Sequence, residues 1–132
     1  MHASRSGRVS IVKRLLDHGA DVNAKDEEGW IPLMIASQYG HMSCVSVLLD
    51  RGADVHAKTD IEHTSLILAS DTGNVSLVSM LLDRGADIHV KDCNGWTCLM
   101  FASKKGRESC ISMLLDRGTD IDARDGRGQN SL

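Results

Sequence analysis

Leu15-Leu16-Asp17-His18-Gly19-Ala20-Asp21-Val22-Asn23-Ala24 is the stretch that decides the fold, because the chain keeps returning to it. Leu48-Leu49, Leu81-Leu82 and Leu114-Leu115 follow Leu15-Leu16 at intervals of 33 residues, Gly52, Gly85 and Gly118 follow Gly19, and Asp54, Asp87 and Asp120 follow Asp21. A second series, Gly7, Gly40, Gly73 and Gly106, keeps the same interval. A fixed period of this length marks a stack of similar units, since no single-copy fold requires it.

Outward from the repeated stretch, one period reads as two short helices and a turn. Leu33-Met34-Ile35-Ala36 up to Gly40 predicts a first helix closed by a glycine. A second helix is expected from Met42 to Asp50, where Met42, Val45, Leu48 and Leu49 fall three and four residues apart on one face, and Gly52 stops it. Ala53-Asp54-Val55-His56-Ala57 then leads into a projecting turn of the kind formed by Lys25-Asp26-Glu27-Glu28-Gly29-Trp30. Helices this short cannot bury an apolar face alone, so the units must stack and share one elongated core.

Asp26-Glu27-Glu28-Gly29-Trp30-Ile31-Pro32-Leu33 opens one copy, and the stretch from Leu15 to Ala24 closes another. In these residues the chain resembles the ankyrin repeat, whose Asp-x-x-Gly-x-Thr-Pro-Leu-His opening and Leu-Leu-x-x-Gly-Ala-Asp-Val-Asn-Ala ending span the same length. The resemblance covers essentially the whole chain. It implies an all-α solenoid of stacked helix-turn-helix units joined by projecting β-turns. In that register, residues 1–132 form a single domain: a partial unit at 1–24, complete units at 25–57, 58–90 and 91–123, and the start of a truncated one at 124–132. Neither end looks like a dedicated polar cap, so the chain is expected to be a section of a longer array.

Departures from the family pattern set further expectations. Met34, Ile67 and Met100 replace the family His, removing a hydrogen-bond network that pins the first helix. Thr is kept as Thr64 and Thr97 but lost at Ile31, and Pro is kept only as Pro32, so the other units are expected to begin their helices more loosely. Glu62 stands where the other turns have Gly29, Gly95 and Gly128, which predicts that the turn from Thr59 to Thr64 reshapes. Glu108 replaces Val9, Met42 and Val75, and is expected to admit water at the outer edge of its unit.

Composition narrows the function classes. An apolar content of 42% in 132 residues supports a packed domain, while 3% aromatic residues argue for an aliphatic core and against a large aromatic-lined pocket. A net charge of −3, with no basic stripe, disfavours nucleic acid. The four cysteines form no Cys-x-x-Cys pair, and the sequence has no signal peptide and no run of eighteen apolar residues. These features read as a reduced intracellular protein, cytoplasmic or nuclear, that is not membrane-bound.

The resemblance implies that partners are held by the turn tips and by the first-helix positions lining a concave groove. Those positions are Glu27, Glu28, Trp30, Gln38 and Tyr39, then Asp60, Ile61, His63, Asp71 and Thr72, then Cys93, Asn94, Trp96, Lys104 and Lys105. Trp30, His63 and Trp96 are equivalent and predict a row of rings, suited to interface anchoring. The alternative is that each ring merely covers its own turn or its neighbour. Acidic residues (Asp26, Glu27, Glu28, Asp60, Glu62 and Asp71) gather toward the N-terminal half, and Lys104, Lys105, Arg124 and Arg127 toward the C-terminal end. Such bipolarity would orient a partner carrying both signs. The Asp50-Arg51, Asp83-Arg84 and Asp116-Arg117 series reads as helix-end and solvation chemistry, and no partner is assigned to it.

Asn23, His56, His89 and Asp122 share one position, but units spaced about 8–10 Å apart bring no further ligands to make a zinc site. In ankyrin domains this position resembles that modified by an asparaginyl hydroxylase, which makes Asn23 a candidate modification site. Cys98 and His63 fall on neighbouring turns without an orienting group or an oxyanion hole. Cys44 and Cys110 read as small buried hydrophobes. With no phosphate loop or nucleophile elbow, no cofactor and no catalysis are expected. The expected function is a scaffold or adaptor binding another protein, expected to be a monomer, with end-to-end association through its uncapped ends as a further option. The alternative is the regulatory or substrate-recruiting part of a larger enzyme, channel or ubiquitin-ligase component.

Overall fold

A computed structural model describes residues 2–118. Among them, eight helices form four pairs: α1 (His2–Ser6) with α2 (Val9–Asp17), α3 (Pro32–Gln38) with α4 (Met42–Asp50), α5 (Ser65–Thr72) with α6 (Val75–Asp83), and α7 (Cys98–Lys104) with α8 (Glu108–Asp116). The first helices pack in series, α1 on α3, α3 on α5 and α5 on α7, while α2 packs on α4 and α6 on α8 in a second layer. No helix among the described residues is long and apolar enough to cross a membrane.

The period follows from what each layer buries. Leu48, Leu81 and Leu114 are sealed from solvent, and each buried leucine contributes about 1.5–3 kcal/mol. The first helices α3 and α5 sit between neighbours on both sides. In α5 every residue from Ser65 to Ser70 is buried, and the Ser70 hydroxyl donates back to the Leu66 carbonyl at 2.8 Å. One apolar cluster runs without a break from Ala3 to Leu114. At its N-terminal end the face is uncovered: Ile11 and Leu15 are 38% and 49% exposed, although their counterparts Cys44 and Leu48 are buried by the preceding pair.

Helix starts differ from the sequence expectation. The units lacking Pro are not looser, because the Thr64 and Thr97 hydroxyls cap α5 and α7 by accepting from the amides of Ile67 and Met100 at 3.4 and 3.3 Å. In the second pair Ile31 gives no side-chain cap, and Pro32 at the first helical position serves instead. Met34, Ile67 and Met100, which replace the family His, are buried and fill core space.

The third turn is also a correction, since it does not reshape. Glu62 adopts φ 63, beside φ 84 at Gly29 and 81 at Gly95, and its amide donates to the Thr59 carbonyl as those glycines donate to Asp26 and Asp92. Keeping the shared turn hydrogen bonds outweighs the side-chain strain of the left-handed region. The expectation for Glu108 holds, as it is exposed where Val9, Met42 and Val75 are half-buried. It lies in the first turn of α8, where a negative charge suits the helix dipole.

The Asp-Arg series does something other than serve its own helix end. Arg51, Arg84 and Arg117 each reach back one unit, to Asp17, Asp50 and Asp83, at 2.5, 2.5 and 3.0 Å. The result is an exposed ladder that ties each second helix to the preceding one. The second glycine series shares positive φ, from 68 to 80, and three of its members are also closely approached. His41, Asn74 and Arg107 lie over Gly7, Gly40 and Gly73, and a Cβ on Gly73 would fall 2.6 Å from Arg107 Cδ. Asp120, Asp122, Arg124, Arg127 and the unit begun at 124–132 lie outside the described residues.

Candidate functional site

The turns are built to hold their tips still. Asp26 Oδ1 accepts from the Glu28 and Trp30 amides, and Asp92 Oδ1 from those of Asn94 and Trp96, each at 2.9 Å. Thr59 supplies a single bond of this type, to the His63 amide at 3.2 Å. Successive turns are linked through their backbones: Asp60 donates to the Glu28 carbonyl at 3.0 Å and Cys93 to that of Ile61 at 3.1 Å. The tips therefore form a continuous edge beside the first helices.

Along this edge the sequence-predicted residues fall into two recesses. The first, of about 200 Å³, is lined by Arg5, Asp26, Glu28, Trp30, Ile35, Gln38 and Tyr39. Tyr39 is 51% exposed, and the Arg5 guanidinium lies 5.9 Å from its ring centroid. The second, of about 310 Å³, brings together Ile61, His63, Asn94, Trp96 and Lys104 with Asp92, Cys93 and Phe101. Glu27, Asp60 and Lys105 are exposed outside both recesses, and Asp71 is half-buried, its carbonyl accepting from Arg107 Nε at 3.3 Å.

The three equivalent rings do not form a free-standing row. Trp30 packs partly against the core, while His63 and Trp96 both lean on Phe101, at centroid distances of 5.4 and 5.2 Å. His63 Nε2 also meets Asp92 Oδ2 at 3.3 Å. All three rings remain half-buried, so each covers its neighbour and still leaves surface for contact. Several participants were missed from sequence, Ile35 of the first recess among them. Phe101 shares the position of Ile35 and Leu68 and reads as core; Asp92 reads as turn chemistry; and Arg5 belongs to the same series as Gln38, Asp71 and Lys104, which the register alone would have included.

The Cys98 thiol is not available at this edge. Cys98 is fully buried, and burial pushes its thiol up to about 12 against the opposing hydrogen bond from Ser70, so the thiolate is suppressed. The His63 imidazole is engaged by Asp92 and Phe101. Cys44 and Cys110 are buried and likewise raised, and Cys93 is exposed. His56 and His89 are exposed, and no group of three His, Cys, Asp or Glu able to hold a metal converges among the described residues. The Asn23 amide donates to the Gly52 carbonyl at 3.2 Å and accepts from the Asp54 amide at 2.8 Å, so a modifying enzyme would have to displace both bonds.

A family model described as ankyrin repeats (3 copies) matches residues 1–59 and 56–125. The chain belongs to the ankyrin-repeat family. Curated proteins give no match to it. Ankyrin domains are in general protein-binding modules and typically non-catalytic. In the ankyrin stack the first helices pack in series beside the turn edge, and the Asp-Arg ladder runs along the second helices.

Proposed function

We propose that this ankyrin array is a non-catalytic scaffold or adaptor that holds a partner protein along its turn edge and first helices. One observation carries the reading: along the turn edge and the ends of the first helices the open positions differ from unit to unit, while the second-helix leucines repeat and are buried. Gln38, Tyr39, Ile61, Asn94, Lys104 and Lys105 are exposed, and Trp30, His63 and Trp96 half-exposed, beside fully buried Leu48, Leu81 and Leu114. Side chains that the fold does not require are free to encode a partner.

The module works as a monomer in a reduced compartment, cytoplasmic or nuclear. The test is recovery of bound proteins on the immobilised chain beside a Trp30→Ala, Trp96→Ala double variant of matched circular dichroism. Loss of one bound protein in the variant supports the reading; identical recoveries refute it.

A further inference from the structure

We propose that the second recess is a specificity pocket for an acidic partner segment. It seats one aliphatic or aromatic side chain against His63, Trp96 and Phe101, and Lys104 pairs with a carboxylate beside that side chain. The proposal rests on the binding surface assigned above and supplies the chemistry of one place on it.

The pocket is preorganised. Phe101 meets His63 edge-on at 82° and Trp96 at 53°, so three rings fix one another before any ligand arrives. At the rim Ile61 is 52% exposed, an apolar side chain the fold leaves uncovered, on a backbone held by the Cys93 amide. A volume of about 310 Å³ lies at the floor of the range for small-molecule sites and suits a single side chain better than a cofactor. Rings with few rotatable bonds, packed but partly open, are the usual anchors of protein interfaces.

Charge selects the occupant. Asp92 is 7% exposed and already accepts from the Asn94 and Trp96 amides while facing His63, so its carboxylate is directed into the turn. Lys104 is exposed, makes no ion pair among the described residues, and holds its ammonium 5.2 Å from the Trp96 centroid at the lip. Lys105 follows it in the chain. The recess therefore offers an apolar floor with a positive lip. Asp60 and Glu62 flank Ile61 but do not line the recess. They would repel a carboxylate approaching from the third turn, so the acidic residue must lie on the fourth-unit side of the anchor. The first recess has no such preference, because Arg5 opposes Asp26 and Glu28 there.

The experiment selects a random peptide library on the intact chain and measures affinities of the enriched peptides for Lys104→Gln, Lys104→Glu and Trp30→Ala variants. Enriched peptides should carry an aliphatic or aromatic residue with Asp or Glu on one side. Affinity should fall about tenfold, roughly 1.4 kcal/mol, with Lys104→Glu and less with Lys104→Gln, and the salt dependence should weaken in the Gln variant. Basic or charge-indifferent peptides, or unchanged affinity in both Lys104 variants, would overturn the proposal. Peptides lost with Trp30→Ala but indifferent to Lys104 would remove the pocket and leave the binding surface standing. Failure of any peptide to enrich, or indifference to both sites, would remove both. Self-association that occupies the recess, read by sedimentation and abolished by Lys104→Glu, would assign it to a second copy and overturn the acidic-segment proposal.

Discussion

Glu62→Gly should make the protein more stable. Glu62 is the one non-glycine residue with positive φ among the described residues, at 63°, and its turn keeps the backbone hydrogen bonds of the turns built on Gly29 and Gly95. Holding an L-residue with a Cβ in the left-handed region costs about 1–2 kcal/mol. Glycine gives back about 0.4–1 kcal/mol through its greater freedom in the unfolded chain. The net gain is about 0.5–1 kcal/mol, a rise in melting temperature of roughly 2–4 °C for a chain of this size. Thermal unfolding followed by far-ultraviolet circular dichroism measures it, with Glu62→Ala as the control. Alanine keeps the backbone strain while removing the carboxylate that neighbours Asp60, so its midpoint should stay close to that of the unsubstituted protein. A lower midpoint for Glu62→Gly, or an equal rise for Glu62→Ala, would refute the backbone argument.

Equivalent leucines should differ in cost: Leu81→Ala, at a sealed position, is expected to lose about 2–5 kcal/mol in urea denaturation, and Leu15→Ala, 49% exposed, well under half as much. Gly73→Ala and Gly85→Ala share the positive-φ penalty, at φ 80 and 91, but only Gly73 faces Arg107, so Gly73→Ala should be the more damaging and Arg107→Ala should narrow the gap. In the native protein a thiol reagent should label Cys93 alone, and all four cysteines after unfolding. Cys98 favours the folded state only while its thiol is neutral in both states. Since its folded value of about 12 exceeds the ordinary 9.0, stability should fall as pH rises from about 9 toward 12, and less steeply in Cys98→Ala.

What was legible in the sequence was whatever the period itself enforces. Leu48, Leu81 and Leu114 recur because each closes the same gap between units, and a side chain demanded by stacking must appear at every turn of the stack. Contacts between units were not legible, because their sequence separations are not the period. Arg51 reaches Asp17 across 34 residues, Arg107 reaches Asp71 across 36, and His63 reaches Asp92 across 29. The separation is set by how side chains lean across the stack, which no alignment of one unit on the next reveals. Phe101 was hidden for a related reason: it occupies a core position, and only its bulk beside His63 and Trp96 makes it part of the recess. The helix starts show the opposite limit, since Thr64, Thr97 and Pro32 were visible but their interchangeability as starting devices was not.

The partner is proposed to lie on the exposed, differing positions of the turn edge and first helices, and not on the second helices. Amide and indole resonance mapping of the full chain, titrated with the recovered partner, tests this placement most directly. The account predicts shifts at the indole protons of Trp30 and Trp96 and at amides of the three turns and α3, α5 and α7, with α4, α6 and α8 unmoved. Shifts confined to the second helices and the Asp-Arg ladder, with both indoles silent, would contradict it.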